Sequence, residues 1–236
     1  MNKLIVESKN DKAFVEALVR HINAHAEVDE ILSSVDEIEE LGVGLSEARL
    51  TQKIEDILDE VRKKGVNKIG ILIDLDNKTF QERLDLVNNC LKIALKNKGF
   101  DPNTEGVSAI NNFVNIEIDD SITVRLACYF TNIDGQGELE TVLKRIKNQE
   151  STFADCLNHW RSCLTENKET ISNKEFDKFW ISNYIRFDTC SNQDRKQAGR
   201  KCSMQNFDYV LENKADIFDF NHNSLDEMKT FLGLFD

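Results

Sequence analysis

The apolar positions follow two spacings, and the spacing changes along the chain. Over the first 130 residues or so, short apolar runs alternate with stripes at helical spacing. Leu4, Ile5 and Val6 form a run that ends at Glu7, which reads as a short strand. Ser8 to Asp11 turns the chain, and Asp11 suits the N-cap of a helix carrying Phe14, Leu18 and Ile22 at i, i+4 and i+8. Leu50, Ile54, Ile57, Leu58 and Val61 form a second stripe, closed by Gly65 at a position that favours glycine. The run Ile69, Gly70, Ile71, Leu72, Ile73 then ends abruptly in Asp74, Leu75, Asp76 and Asn77. Such a run reads as a strand buried on both faces, as in a parallel sheet. A further stripe, Leu84, Val87, Leu91, Ala94 and Leu95, ends at Gly99. Strand, helix, strand, helix at these distances predicts right-handed crossovers and a parallel sheet.

Between residues 107 and 130 the spacing becomes two. Ile116 and Ile118 alternate with polar neighbours, Asp119 to Ser121 turns, and Ile122, Val124, Leu126, Cys128 and Phe130 alternate again. This predicts a hairpin that adds an antiparallel edge or supplies the last central strand. A loop with Gly135 and Gly137 follows, the glycines allowing a tight turn. Beyond Glu138 only helical stripes remain: Leu139/Val142/Leu143/Ile146, Phe153/Leu157/Trp160/Leu164, Phe176/Phe179/Trp180 and Leu225/Met228/Phe231/Leu232. The expected fold is α/β: a Rossmann-like, mostly parallel sheet flanked by helices in residues 1–140, with a helical extension over 141–236 packed on it. Glu27 to Glu40 holds seven acids and no base, and reads as a short strand plus an exposed segment broken at Gly42 and Gly44.

Composition narrows the function. With 236 residues, 40% hydrophobic, one proline and ten glycines, the chain can bury a substantial core. A net charge of −12 argues against a surface built to coat DNA tightly and nonspecifically, although an enzyme can still touch nucleic acid locally through metal ions. The six cysteines include no CxxC pair, and four histidines show no zinc spacing. Residues 1–7 do not resemble a signal peptide, and no stretch has the roughly 18 apolar residues of a membrane span. These features predict a cytoplasmic protein with reduced, buried thiols.

The chemistry concentrates at strand ends. If the extended conformation continues, Asp74 and Asp76 point the same way, and two buried like charges cost several kcal/mol unless paired or protonated. A divalent cation relieves this; a pair of loop carboxylates capping the next helix is the plain alternative. Glu7 with Asp11, Asp74 with Asp76, and Glu138 with Glu140 all fall at predicted strand ends, where an open parallel sheet binds its ligands. Carboxylates without Cys or His favour Mg²⁺ or Mn²⁺, and two such ions about 3.5–4 Å apart clamp a phosphodiester displacement.

The strand ending in Glu7, the acid at Asp11 and the later strand ending in Asp74-Leu75-Asp76 resemble the Toprim signature of topoisomerases, primases, recombination proteins and OLD-type nucleases. Ser8 stands where that family usually has glycine. Gly135, Gly137, Glu138 and Glu140, followed by Asp177-Lys178 and by Phe218, Phe220, Leu225, Phe231 and Leu232, are similar to a small stand-alone branch related to the OLD nucleases. The resemblance implies that Glu7 is a metal ligand or general acid/base and that Asp74 and Asp76 are metal ligands. It gives Asp11 to a second ion and Glu140 as a further ligand in preference to Glu138. It implies a Mg²⁺- or Mn²⁺-dependent nuclease with nucleic acid as a transient substrate, and leaves room for a protein partner. Asp11 as a helix cap, and Glu138 and Glu140 as acids at a helix N-terminus, remain the structural alternatives.

Two rival functions stand beside this one: an inactive Toprim-like module binding a nucleotide or a protein, and a phosphatase of the haloacid dehalogenase type. The latter also uses an apolar strand ending in DxD, with the first Asp as nucleophile, but here Thr79 falls one place late. The single basic cluster, Arg195, Lys196, Arg200 and Lys201, reads as solvated loop charge, with a contact for nucleic-acid phosphate or the supply of a lysine to the site as the functional alternatives. Trp160 and Trp180 read as core.

Overall fold

The structure, a computed structural model, describes residues 1–31 and 45–236. The part of the acidic segment beyond Ile31, with Gly42 and Gly44, lies outside the described residues. The chain divides into two compact units, Met1–Thr131 with Asp226–Asp236, and Asn132–Leu225. The sequence places one break near residue 140; the structure places it after Thr131 and returns the last eleven residues to the first unit.

The first unit is built on a five-stranded sheet. Its strands are β1 (Asn2–Val6), β2 (Glu27–Glu30), β3 (Lys68–Asp74), β4 (Val114–Asp119) and β5 (Ile122–Thr131), in the order β2-β1-β3-β5-β4. β1 pairs in parallel with β2 and β3, β3 in parallel with β5, and only the β4–β5 hairpin is antiparallel. The hairpin realises both of the alternatives offered for it: β4 is an edge and β5 lies inside the sheet.

Helices α1 (Lys9–Ile22), α2 (Glu47–Lys64) and α3 (Phe80–Asn97) connect the strands. Each has a side-chain cap: Ser8, Ser46 and Thr79 accept from the third amide of their helix. Ser8, not Asp11, is the α1 cap; Asp11 takes the reciprocal place three residues on. At the far end of α2, Gly65 adopts φ 69° and closes the helix as its position suggested.

β3 is buried along its whole length because both faces are covered. Ile69, Ile71 and Ile73 join one core with Leu50, Ile54, Leu58 and Val61 of α2 and Val87, Leu91 and Leu95 of α3. Gly70 faces the other way. A Cβ there would lie 2.3 Å from Leu4 Cδ2 and 2.6 Å from the Phe235 ring. Phe231 belongs to the terminal helix α9 (Asp226–Gly233), and it stacks on Tyr129 of β5 with ring centroids 5.8 Å apart. Lys68 Nζ donates to the carbonyls of Leu234 and Asp236 at 2.7 Å each, and the Asn2 amide donates to that of Phe235.

The second unit is helical: α4 (Leu139–Arg145), α5 (Thr152–Glu166), α6 (Asn173–Asn183) running into a π-helical turn at Tyr184–Asp188, α7 (Ala198–Lys201) and α8 (Phe207–Asn213). Its core stacks Trp180 on Tyr184 at 5.4 Å, with Phe207 and Phe218 beside them. The Tyr184 hydroxyl donates to the Ile217 carbonyl at 2.8 Å. Asp188 accepts from the amides of Phe153 and Ala154 at 2.8 and 2.9 Å and so caps α5.

Two expectations fail here. The stripe on α5 is helical but not buried: Phe153 and Trp160 are exposed, and Ala154 is the buried residue of that helix. Trp180 is core as expected. The thiols are not all reduced either, because Cys190 and Cys202 form a disulfide. Cys90 and Cys128 are buried and free, and burial pushes the Cys128 thiol up to about 12. No described helix is long and apolar enough to cross a membrane.

The packing at Gly70 sets a test of the fold. Gly70→Ala forces a methyl group against Leu4 and Phe235, and over-packing of this kind costs about 1–3 kcal/mol. Urea denaturation is expected to show that loss, with no comparable loss for alanine at Gly199, where a Cβ meets nothing.

Candidate functional site

The first unit gathers acids at the carboxyl ends of β1 and β3. Because these strands are parallel neighbours, with Val6 beside Leu72, the residues that follow them emerge side by side. Glu7 Oε2 accepts from the backbone amide of Asp74 at 3.4 Å, a long hydrogen bond that sets the two chain ends against each other. Both residues are buried, Glu7 at 6% and Asp74 at 8% exposure.

Asp76 does not continue the strand. β3 stops at Asp74, and Asp76 takes a left-handed conformation with φ 54°, which costs an aspartate less than most residues. The extended geometry expected through both aspartates is therefore replaced by a turn. A carboxylate oxygen of Asp74 nevertheless lies within 4.8 Å of one from Asp76. That is near the span of one octahedral cation with metal–oxygen bonds of about 2.1 Å.

The charge of Asp76 meets a counter-ion of the chain's own. Arg83 Nη2 lies 2.6 Å from Asp76 Oδ2, and the Arg83 side chain is only 8% exposed. The sequence offered a signal for this residue: Arg83 sits four residues before Val87, on the inward stripe of α3. Arg83 Nε is buried with no hydrogen-bond partner among the described residues.

Asp11 is committed to the start of α1. Its Oδ2 accepts from the Ser8 amide at 3.0 Å and from the Ser8 hydroxyl at 2.6 Å. Ser8, which stands where the resembling family has glycine, is thus half of a capping box that engages the acid expected at a second ion.

The remaining acids belong to the second unit. Glu138 is buried at 2% exposure at the head of α4, its Oε2 2.7 Å from Lys174 Nζ. Burial pushes its carboxyl up against the pull of Lys174. Burial also pushes Glu140 up, opposed by Lys178. Beside them Asp177 accepts from Lys144 at 2.7 Å and from the Thr141 hydroxyl at 3.1 Å. Lysines as partners of these acids have no signature in the spacing, because α6 supplies Lys174 and Lys178 from more than thirty residues away in sequence.

Residues 1–235 match a protein family described as "Protein of unknown function (DUF3226)". The chain belongs to the DUF3226 family. Neither the curated proteins nor the solved structures contain a match. In this DUF3226 protein the first unit thus sets Glu7 against Asp74 and Asp74 near Asp76, and engages Asp11 with its cap residue Ser8. Glu140, Lys196, Arg200 and Lys201 lie in the second unit.

The Arg83–Asp76 pair generates the test of this geometry. Arg83→Met leaves a largely buried carboxylate without this counter-ion, a change that typically costs a few kcal/mol. A loss of about 1–3 kcal/mol in urea denaturation is expected, with part of it recovered in the Arg83→Met/Asp76→Asn double variant.

Proposed function

We propose that this protein is a Mg²⁺- or Mn²⁺-dependent phosphoryl-transfer enzyme, a nuclease of Toprim type acting on DNA or RNA as a transient substrate. The observation that carries the reading is the hydrogen bond from the Asp74 amide to Glu7, which supports two carboxylate-bearing strand ends sharing one position at the sheet's edge. The donor set is all carboxylate oxygen, the hard chemistry that suits Mg²⁺ or Mn²⁺. Glu7 and Asp74 would hold the ion, with Asp76 reaching it beside Arg83. When bound, such an ion supplies charge neutralisation and polarises a phosphodiester. Glu7 either ligates or moves a proton at the attacking oxygen, and Arg83 keeps Asp76 oriented.

A second reading is favoured by a specific observation: Asp11 and Asp76 already have partners in Ser8 and Arg83. A non-catalytic module that binds a nucleotide or a protein would need no more. The phosphatase reading is weaker, because its second aspartate must deliver a proton and Asp76 is engaged as an acceptor of Arg83.

Nicking of supercoiled plasmid and cleavage of single-stranded DNA and RNA, each with Mg²⁺ and with Mn²⁺, test the proposal. Metal-dependent cleavage is expected, falling by about 10²-fold or more in Asp74→Ala and Glu7→Ala, the scale for losing a residue that stabilises the transition state. Cleavage unchanged by both substitutions refutes the site. Absence of cleavage on every substrate favours the binding module, and a phosphorylated Asp74 favours the phosphatase.

A further inference from the structure

We infer that the second unit carries a separate phosphate-backbone contact for single-stranded nucleic acid, in the cavity that Arg186, Arg195, Lys196 and Arg200 line. The inference rests on nucleic acid being the substrate class, but not on catalysis. The cavity is open and holds about 480 Å³. One wall is the π-helical turn at Tyr184–Asp188, which supplies half-buried Arg186; the others come from the segment Arg195–Arg200. The Cys190–Cys202 disulfide closes the loop that bears three of the four cations, so their backbone is held before any ligand arrives.

What marks the cavity is uncompensated charge in a chain of net charge −12. The nearby acids are already occupied. Asp194 is bound by Lys201 at 3.0 Å and Lys214 at 3.1 Å, which hold its carboxyl down at about 2. Asp188 spends its oxygens on the amides of α5. Among the described residues no acid forms an ion pair with Arg186, Arg195, Lys196 or Arg200; Arg195 donates to the Phe187 carbonyl at 3.2 Å. Lys201, which the sequence groups with this cluster, is instead part of the Asp194 pair.

Three guanidinium groups suit phosphate, because each stays charged and presents a rigid fork of donors to its oxygens. Phe187 follows Arg186 in the chain, its carbonyl accepts from Arg195, and its side chain is 48% exposed. An exposed ring one residue along from a lining arginine gives an unpaired base somewhere to stack, which argues for a single strand. A duplex keeps its bases from such a ring.

Fluorescence anisotropy with labelled oligothymidylate and oligouridylate of about 20 nucleotides, longer than the ~4–16-nucleotide footprints of common single-strand sites, tests this. The full chain carries Asp74→Ala and is kept in EDTA, so that failure of the nuclease reading leaves the result unaffected. Binding is expected with a slope of about −3 in log affinity against log salt, the value for four single-strand phosphate contacts. Arg186→Gln/Arg195→Gln/Arg200→Gln should weaken binding tenfold or more and flatten the slope toward about −1. The single exposed change Lys196→Glu should weaken it several-fold without touching the core, and Lys92→Gln/Lys96→Gln on α3 should leave it unchanged. Equal binding by the triple variant and Lys196→Glu, no binding at about 50 mM salt, or equal competition by polyglutamate of similar charge would each overturn the inference.

Discussion

The first unit depends on β3 being covered on both sides. One side packs against α2 and α3 through isoleucines; the other is so closely approached by Leu4, Phe231 and Phe235 that only a residue without a Cβ fits at Gly70. Burial on both faces fixes the register of β3 against β1, since a slip of one residue would exchange the isoleucine face with the glycine face. That register in turn delivers Glu7 and Asp74 to the same place. The acid pair at the strand ends is therefore a consequence of packing several residues away, and the terminal helix takes part in positioning it.

Like charges gathered at a buried edge must be offset, and the protein does so in three different ways. Asp11 accepts from Ser8 in a capping box, Asp76 meets Arg83 in an ion pair with little exposure, and Glu7 accepts the amide of Asp74. A largely buried ion pair is weak evidence for net stability, because desolvation consumes much of the Coulomb gain. Its clearer effect is to fix where the Asp76 carboxylate points. The functional proposal stands on the hydrogen bond that sets Glu7 against Asp74, joining two carboxylate-bearing strand ends.

Most of the sheet was legible because periodicity reports burial directly. The stripe from Leu50 to Val61, the two-sided run Ile69–Ile73 and the alternation Ile122–Phe130 each correspond to an element of the predicted type. What the pattern could not report was pairing over distance. Arg83 lay on the inward stripe of α3, but its partner Asp76 was visible only once the chain turned left-handed there. The Cys190–Cys202 bridge falls where no period exists. On α5 the period was real, yet Phe153 and Trp160 face outward, since a stripe shows which residues share a face and not what covers it. The candidate site was legible in the same uneven way: the placement of Glu7 beside Asp74 followed from strand order, whereas the roles of Ser8 and Arg83 depended on local geometry.

The central claim is that Glu7 and Asp74 together hold a divalent cation. Titration of the intact protein with Mn²⁺, following the electron paramagnetic resonance signal of the free ion, measures this without requiring a substrate. A saturable site is expected in the wild-type chain and should be lost in both Glu7→Gln and Asp74→Asn, with the far-ultraviolet circular dichroism of all three proteins unchanged. Equal Mn²⁺ binding by wild type and both variants would contradict it.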